Sequence, residues 1–141
     1  MEINDIESIW LEVNISHFKS ILLNFIYSPP NSSQSWIDLY NQQLELLDTL
    51  ELKYHILGHL NINYIPGKGK YNNTKWTDFT IKYGLKQLIH DPTRISKNSS
   101  IIIDHIYTNS IEHISECFTS ELSLSDQFPI CFTHSMKCKM A

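Results

Sequence analysis

The chain has 141 residues, 42% of them hydrophobic and 11% aromatic, which is the size of one ordered domain and too short for two comfortable ones. Eleven lysines and arginines face fifteen carboxylates, for a net charge of -4 with no basic block anywhere; strong electrostatic binding of DNA or RNA by the chain alone is therefore disfavoured, since such binding draws on neutralised phosphates. No apolar run approaches the length of a membrane span, and the opening "MEINDIESIW" is acidic where a secretory leader would be basic and then apolar, so a cytoplasmic or nuclear location is expected.

In chain order, "SIWLEV" (8–13) alternates Ile9, Leu11 and Val13 against Trp10 and Glu12, and "KSILLNFIY" (19–27) is a longer apolar run; the two are expected to pair as an antiparallel hairpin. Pro29 and Pro30 in "SPPNSS" force a turn. Trp36, Leu39, Tyr40, Leu44, Leu47 and Leu50 then recur at helical spacing, which predicts a helix over about residues 34–51 with one buried face and Ser33 or Ser35 as its cap. "YHILGHLNINY" (54–64) reads as a buried strand that Gly58 ends, after which His59, Asn61 and Asn63 are presented to solvent. "IPGKGKYNNT" (65–74) is rich in glycine and asparagine and reads as a loop. "KWTDFTIKYG" puts Trp76, Phe79 and Tyr83 on one helical face with Gly84 as the stop.

Beyond it, "LKQLIHDPTRI" is a short extended piece broken by Pro92, and "IIIDHIYTN" (101–109) is a continuous β-branched run interrupted only by Asp104. Further strands are expected over residues 111–118 and 129–138. Strands in hairpins mixed with two helices point to a layered α/β or α+β domain. An ionised carboxylate in a buried strand is costly unless paired, so Asp104 needs a partner, with Arg94 and His105 at hand in the sequence. Asp126, in the polar turn before the last strand, has a bland reading as a turn cap. Cys117, Cys131 and Cys138 are odd in number and lack Cys-x-x-Cys spacing, which argues against a disulfide scaffold or zinc ribbon. The histidines His55, His59, His90, His105 and His113 likewise lack a compact ligand pair of the kind zinc sites use.

Five short motifs occur in order: "YSPPN" (27–31), "GHLN" (58–61), "PTR" (92–94), "IDHI" (103–106) and "SDQ" (125–127). Together they resemble the endonuclease/exonuclease/phosphatase superfamily, and most of all the endonuclease domain of non-LTR retrotransposon polyproteins, which carries "YRPPN", "GDFN", "PTR", "IDHI" and "SDH" in the same order. The resemblance covers nearly the whole chain, residues 1–141, as a single domain. It implies an α/β fold, a four-layer sandwich of two mixed sheets flanked by helices and only partly represented here. The implied chemistry is Mg²⁺-dependent cleavage of a DNA phosphodiester. Position by position, it makes Tyr27, Asn31, Thr93 and Ser125 substrate-binding, Asn61 a donor to developing charge, Asp126 the metal-side carboxylate, and Asp104 the acid that orients a catalytic histidine.

Two departures cut against activity. His59 stands where the family has aspartate, which removes the carboxylate that orients or deprotonates the attacking water. Gln127 stands where the family has histidine, and an amide offers phosphate only a neutral hydrogen bond. The resemblance also implies an asparagine and a metal-binding glutamate on strands ahead of "ESIW", so the chain is expected to be the carboxyl-terminal part of such a domain, with Mg²⁺ and DNA held weakly. The expected function is a degenerate endonuclease domain whose cleavage is lost. The alternatives are a non-catalytic interaction module that recruits a partner strand at an exposed sheet edge, or a weak residual nuclease or phosphatase with His59 as base.

Overall fold

The first two strands form the hairpin their alternation predicts: β1 (Glu7–Val13) pairs antiparallel with β2 (Ile21–Tyr27), from Val13 opposite Ile21 to Glu7 opposite Tyr27. The computed structural model describes residues 7–30, 32–120 and 128–135. One face of this pair, with Trp10, Leu22, Asn24 and Ile26, turns to the helical side of the molecule. Asn24 is fully buried and hydrogen-bonded through both amide atoms: its Nδ2 donates to Ser8 Oγ (2.8 Å) and the Ile9 carbonyl (3.0 Å) and its Oδ1 accepts from the Tyr40 hydroxyl, as burial of a polar group requires.

Helix α1 (Trp36–Thr49) follows the proline turn and buries Trp36, Ile37, Tyr40 and Leu44. It is shorter at both ends than expected. Leu39 and Leu50 are exposed because, at 100° per residue, they fall on the flank of the stripe centred on Trp36, Tyr40 and Leu44. Neither serine caps it through a side chain: Ser35 holds the N-cap position without such a bond, and Ser33 Oγ accepts the Ser35 N–H at 3.3 Å, one step too early.

Strand β3 (Tyr54–His59) returns parallel to β2. Gly58 does not end it. Gly58 lies within the strand, opposite Ile26 on one side and His105 on the other, and a Cβ there would stand 2.6 Å from Ile26 Cγ2. The glycine is needed for close strand approach, the other use that sheets make of this residue. The chain leaves the strand at Asn61, whose φ of 54° is the left-handed conformation that asparagine tolerates.

The stretch read as a plain loop contains a small hairpin, β4 (Tyr64–Ile65) with β5 (Lys70–Tyr71), closed by a 3₁₀ turn over Pro66–Lys68 and Gly69 at φ 61°. Helix α2 (Thr74–Lys82) is capped by Asn73, whose side chain accepts the Trp76 N–H at 2.9 Å, and Gly84 at φ 60° ends it as expected. Trp76 is fully buried and stacks on Phe79 (ring centres 4.9 Å apart), which stacks in turn on Tyr40 of α1 (5.6 Å). Such aromatic contacts contribute roughly 0.5–1.5 kcal/mol each beyond their buried area.

The remaining strands are β6 (Lys86–Gln87), β7 (Arg94–Ser96), β8 (Ser99–Ile101), β9 (Asp104–Thr108), β10 (Ile114–Thr119) and β11 (Ile130–His134). The β-branched run is not continuous: Ile102 and Ile103 step out of the ladder, their N–H groups taken by Asn63 Oδ1 (2.9 Å) and Thr93 Oγ1 (3.2 Å). The strand expected from Ile111 begins with a 3₁₀ turn over Ile111–His113. The central sheet has the order β1-β2-β3-β9-β6, with β3 parallel to β2 and antiparallel to β9. Ile56 and Tyr107 point from it into the core with both helices, while Leu57 and Ile106 point to the other side, where Cys117, Ile130 and Phe132 of the β10–β11 hairpin cover Ile89 and Ile102. Helices, central sheet and a second, two-stranded sheet thus form an α/β sandwich, three of the four expected layers among the described residues. At the β1 edge of the sheet, among the described residues, Ile9 and Leu11 are exposed.

Candidate active site

The register of the central sheet brings three strand ends together. Tyr27, the last residue of β2, lies opposite His59, the last residue of β3, and His59 lies opposite Asp104, the first residue of β9. His59 Nδ1 meets Asp104 Oδ1 at 2.7 Å, and the His59 ring stacks on Tyr27 with centres 5.7 Å apart. Asp104 thus takes neither partner suggested by the sequence for its pairing. His105 is unavailable, because β-alternation turns it to the other face, where its Nε2–H donates to the Ile102 carbonyl (2.9 Å) and its Nδ1 accepts from Tyr107 (2.7 Å). Burial pulls its pKa down to about 4. It is a neutral strut of the core, and its work is to hold the backbone step at Ile102.

His59 has the opposite character. Its hydrogen bond to Asp104 raises its pKa above the ordinary value; partial burial opposes the rise, the Asp104 charge and an Asn61 hydrogen bond add to it, and the Arg94 charge works against it. A carboxylate and an amide oxygen favour the imidazolium form. Asn61, in its left-handed turn, also donates through Nδ2 to the Ser28 carbonyl at 2.8 Å, so its side chain is held at the foot of the proline turn. Asp104 Oδ2 is buried without a hydrogen-bond partner among the described residues.

Thr93 lies beneath the site. It is fully buried, and its hydroxyl accepts the N–H groups of Ile103 and Asp104, both at 3.2 Å. A substrate contact was expected of it; its hydroxyl holds two backbone donors in the interior and fixes where Asp104 starts its strand. Phe128, which follows Gln127 in sequence, donates its N–H to the Thr93 carbonyl at 2.7 Å. Four expected site residues, Asn31, Ser125, Asp126 and Gln127, lie outside the described residues.

At the Asn61 turn, on the helical side of the strand ends, a cleft of about 220 Å³ is lined by Ser28, Ser32, Gln34, Asn61, Asn72 and Asn73. Gln34, Asn72 and Asn73 were not singled out from sequence, because asparagines in a glycine-rich segment read as turn formers. Their position after the strand that carries His59 and Asn61 was the available signal.

For a divalent metal, the described residues do not fit. Mg²⁺ asks for several oxygen ligands in near-octahedral order. Here a single carboxylate faces the site, one of its oxygens is bound to a histidine that favours its charged form, and no three His, Cys, Asp or Glu side chains among the described residues stand close enough to hold an ion. When His59 carries its proton, the imidazolium beside Asp104 repels a second cation.

No family model and no curated protein matches the chain. Solved structures do. The endonuclease domain of TRAS1, a telomere-specific non-LTR retrotransposon, superposes with a TM-score of 0.69 at 16% identity, over 93% of this chain and 68% of that one. A 3'-5' exonuclease from Neisseria meningitidis gives 0.58 at 14% identity, over 93% of this chain and 80% of that one. A mannosyl-6-phosphatase from Bacteroides thetaiotaomicron gives 0.50 at 16%, over 79% of this chain and 49% of that one. What these proteins share with the chain at such identities is the fold.

Proposed function

From a chain with the endonuclease/exonuclease/phosphatase fold, we propose a degenerate endonuclease-type domain of retrotransposon descent, acting in the cytoplasm or nucleus, that binds a phosphodiester weakly and no longer cleaves it with Mg²⁺. The observation that carries this reading is the His59–Asp104 bond. In the resemblance, Asp104 orients a histidine at position 127 while position 59 supplies a carboxylate. Here the histidine has moved to position 59 and taken Asp104 for itself. The carboxylate gains its imidazole partner from the neighbouring strand, and the site exchanges an anion for a group that favours positive charge.

That exchange reverses what the site attracts. A carboxylate cluster draws Mg²⁺; an imidazolium beside Asn61 offers charge-assisted hydrogen bonds to a phosphate oxygen. Asn31, Ser125 and the Gln127 amide are proposed as further substrate contacts, and Asp126 as the one acid left to a metal, too few for tight binding. DNA is the proposed ligand, bound weakly because of the net charge. Residual nuclease activity with His59 as base is the poorer reading, since a base must be neutral to accept a proton and the raised pKa works against that form.

A plasmid-nicking assay with Mg²⁺ tests the proposal on two proteins shown to be folded by circular dichroism and thermal melting: the chain as given, and the His59→Asp, Gln127→His double variant. The unmodified chain is expected not to nick. In parallel, a short DNA duplex is expected to shift the His59 ring resonances in NMR, and this shift is expected to fade with salt. Nicking by the unmodified chain that EDTA and Asp126→Ala both abolish overturns the loss of cleavage, and unmoved His59 resonances overturn the binding.

A further inference from the structure

The other end of β3 carries a second histidine cluster that the site does not use. His55 Nδ1 is bonded to Thr108 Oγ1 at 2.9 Å, and His55 Nε2 meets His134 Nδ1 at 2.7 Å. His134 closes the open end of the β10–β11 hairpin, where it pairs with Ile114. The His113 ring stands 5.3 Å from the His134 ring, with its Nδ1 bonded to Ser110 Oγ at 2.7 Å, and the His113 carbonyl accepts the Ser135 N–H at 2.7 Å. His55 also packs edge-on against Phe132, ring centres 5.3 Å apart. Three imidazoles from a strand, a 3₁₀ turn and a hairpin thus fasten the hairpin's open end to the central sheet.

This is a proton site in its chemistry. An N–H···N bond between imidazoles needs one neutral acceptor, so two protonated rings cannot share it, and at this separation they repel. Metal-ligand spacing is absent here, as among all the described residues. The charged groups facing the cluster are mixed in sign: Glu12 from β1, Lys19 before β2, Glu51 and Lys53 between α1 and β3 line the same cleft of about 580 Å³, and Glu112 bonds Ser110 from the 3₁₀ turn. Among the described residues the histidine–carboxylate ion pair is that of His59 with Asp104; Glu112 feels the His113 charge, and neither His55 nor His134 is ion-paired to a carboxylate. Burial and the neighbouring imidazoles keep His55 down to about 4, and burial and His113 lower His134 as well.

We propose that His55, His113 and His134 form a proton-operated latch, which in its neutral form seals the open end of the β10–β11 hairpin to the central sheet and on protonation of the His55–His134 pair releases it while the central sheet stays folded. Residue-resolved amide exchange by NMR on the whole chain at pH 7.5 and pH 5, corrected for intrinsic rates, tests this. Protection of Ile114–Thr119 and Ile130–His134 is expected to fall about tenfold more than that of Ile56 and Tyr107. His134→Gln keeps an oxygen to accept from His55 but does not titrate, and is expected to abolish that excess loss. Ring titrations of the unmodified chain supply a readout that needs no variant: His55 and His134 are expected to titrate as a linked pair at the pH where the hairpin opens. Equal loss in hairpin and central strands, the same acid loss in a folded His134→Gln, or independent titration of the two rings overturns the proposal.

Discussion

Strand β3 carries an imidazole at each end, and the two ends treat the proton in opposite ways. At its close, His59 faces a carboxylate and favours the charged form; at its start, His55 faces a hydroxyl and another imidazole and favours the neutral one. Both side chains leave the same face of one strand and both are partly or wholly buried. The difference lies in the strand opposite, where β9 offers Asp104 at one end and Thr108 at the other. What a histidine does in this sheet is therefore decided by register, since a slip of one residue would exchange every partner.

The largest test of this contrast is acid. Burial pulls His55 and His105 both to about 4, below the ordinary value of about 6.5. The unfolded chain then binds more protons than the folded one between those limits, so stability falls as pH drops from about 6.5 to about 4, by several kcal/mol at about 1.4 kcal/mol per unit. His59 runs the other way: its raised pKa contributes stability that is present below about 6.5 and lost as pH rises through its folded value. Urea melts across that range are expected to show the acid loss, and a flat profile would sink the neutral-histidine description.

Next in size is Gly58→Ala. The added Cβ meets Ile26 at 2.6 Å in the middle of the strand that both ends depend on, and such overpacking costs roughly 1–3 kcal/mol. Thermal denaturation is expected to show it, and a variant as stable as the parent would mean that β2 and β3 separate easily. Thr93→Val removes the oxygen that accepts two backbone N–H groups beside Asp104 and is expected to cost about 1–2 kcal/mol. Its distinguishing effect is on His59, whose ring titration is expected to move toward the ordinary value as Asp104 loses its position. The smallest change is Asp104→Asn, about 1 kcal/mol at pH 6 after allowance for partial exposure. NMR titration is expected to find the His59 pKa lowered by it and that of His55 untouched; a shift at both ends would erase the contrast.

Much of the architecture is legible in the sequence because local periodicity carries it. The alternation of Ile9, Leu11 and Val13 announces the hairpin, and Gly84 announces the end of α2. Gly58 misleads because glycine has two uses in strands, and only the distance to Ile26 tells them apart. The β4–β5 hairpin is too short and too polar to show a period. That Asp104 needs a partner follows from elementary electrostatics, but the partner's identity is a matter of register between strands far apart in the chain. The pairing of His134 with His55 escapes sequence reading for the same reason, since 79 positions separate them.

That distance along the chain has a consequence during synthesis. His59 and Asp104 are 45 positions apart, and at roughly 5–20 residues per second a ribosome needs several seconds to supply β9 once β3 has emerged. In that interval β3, with Ile56 and Leu57, is an open edge on a nascent three-stranded sheet, able to pair with any other unpaired strand nearby. A circular permutant opened between β3 and β9 would have β9 made first, so that β3 would emerge with its partner already present.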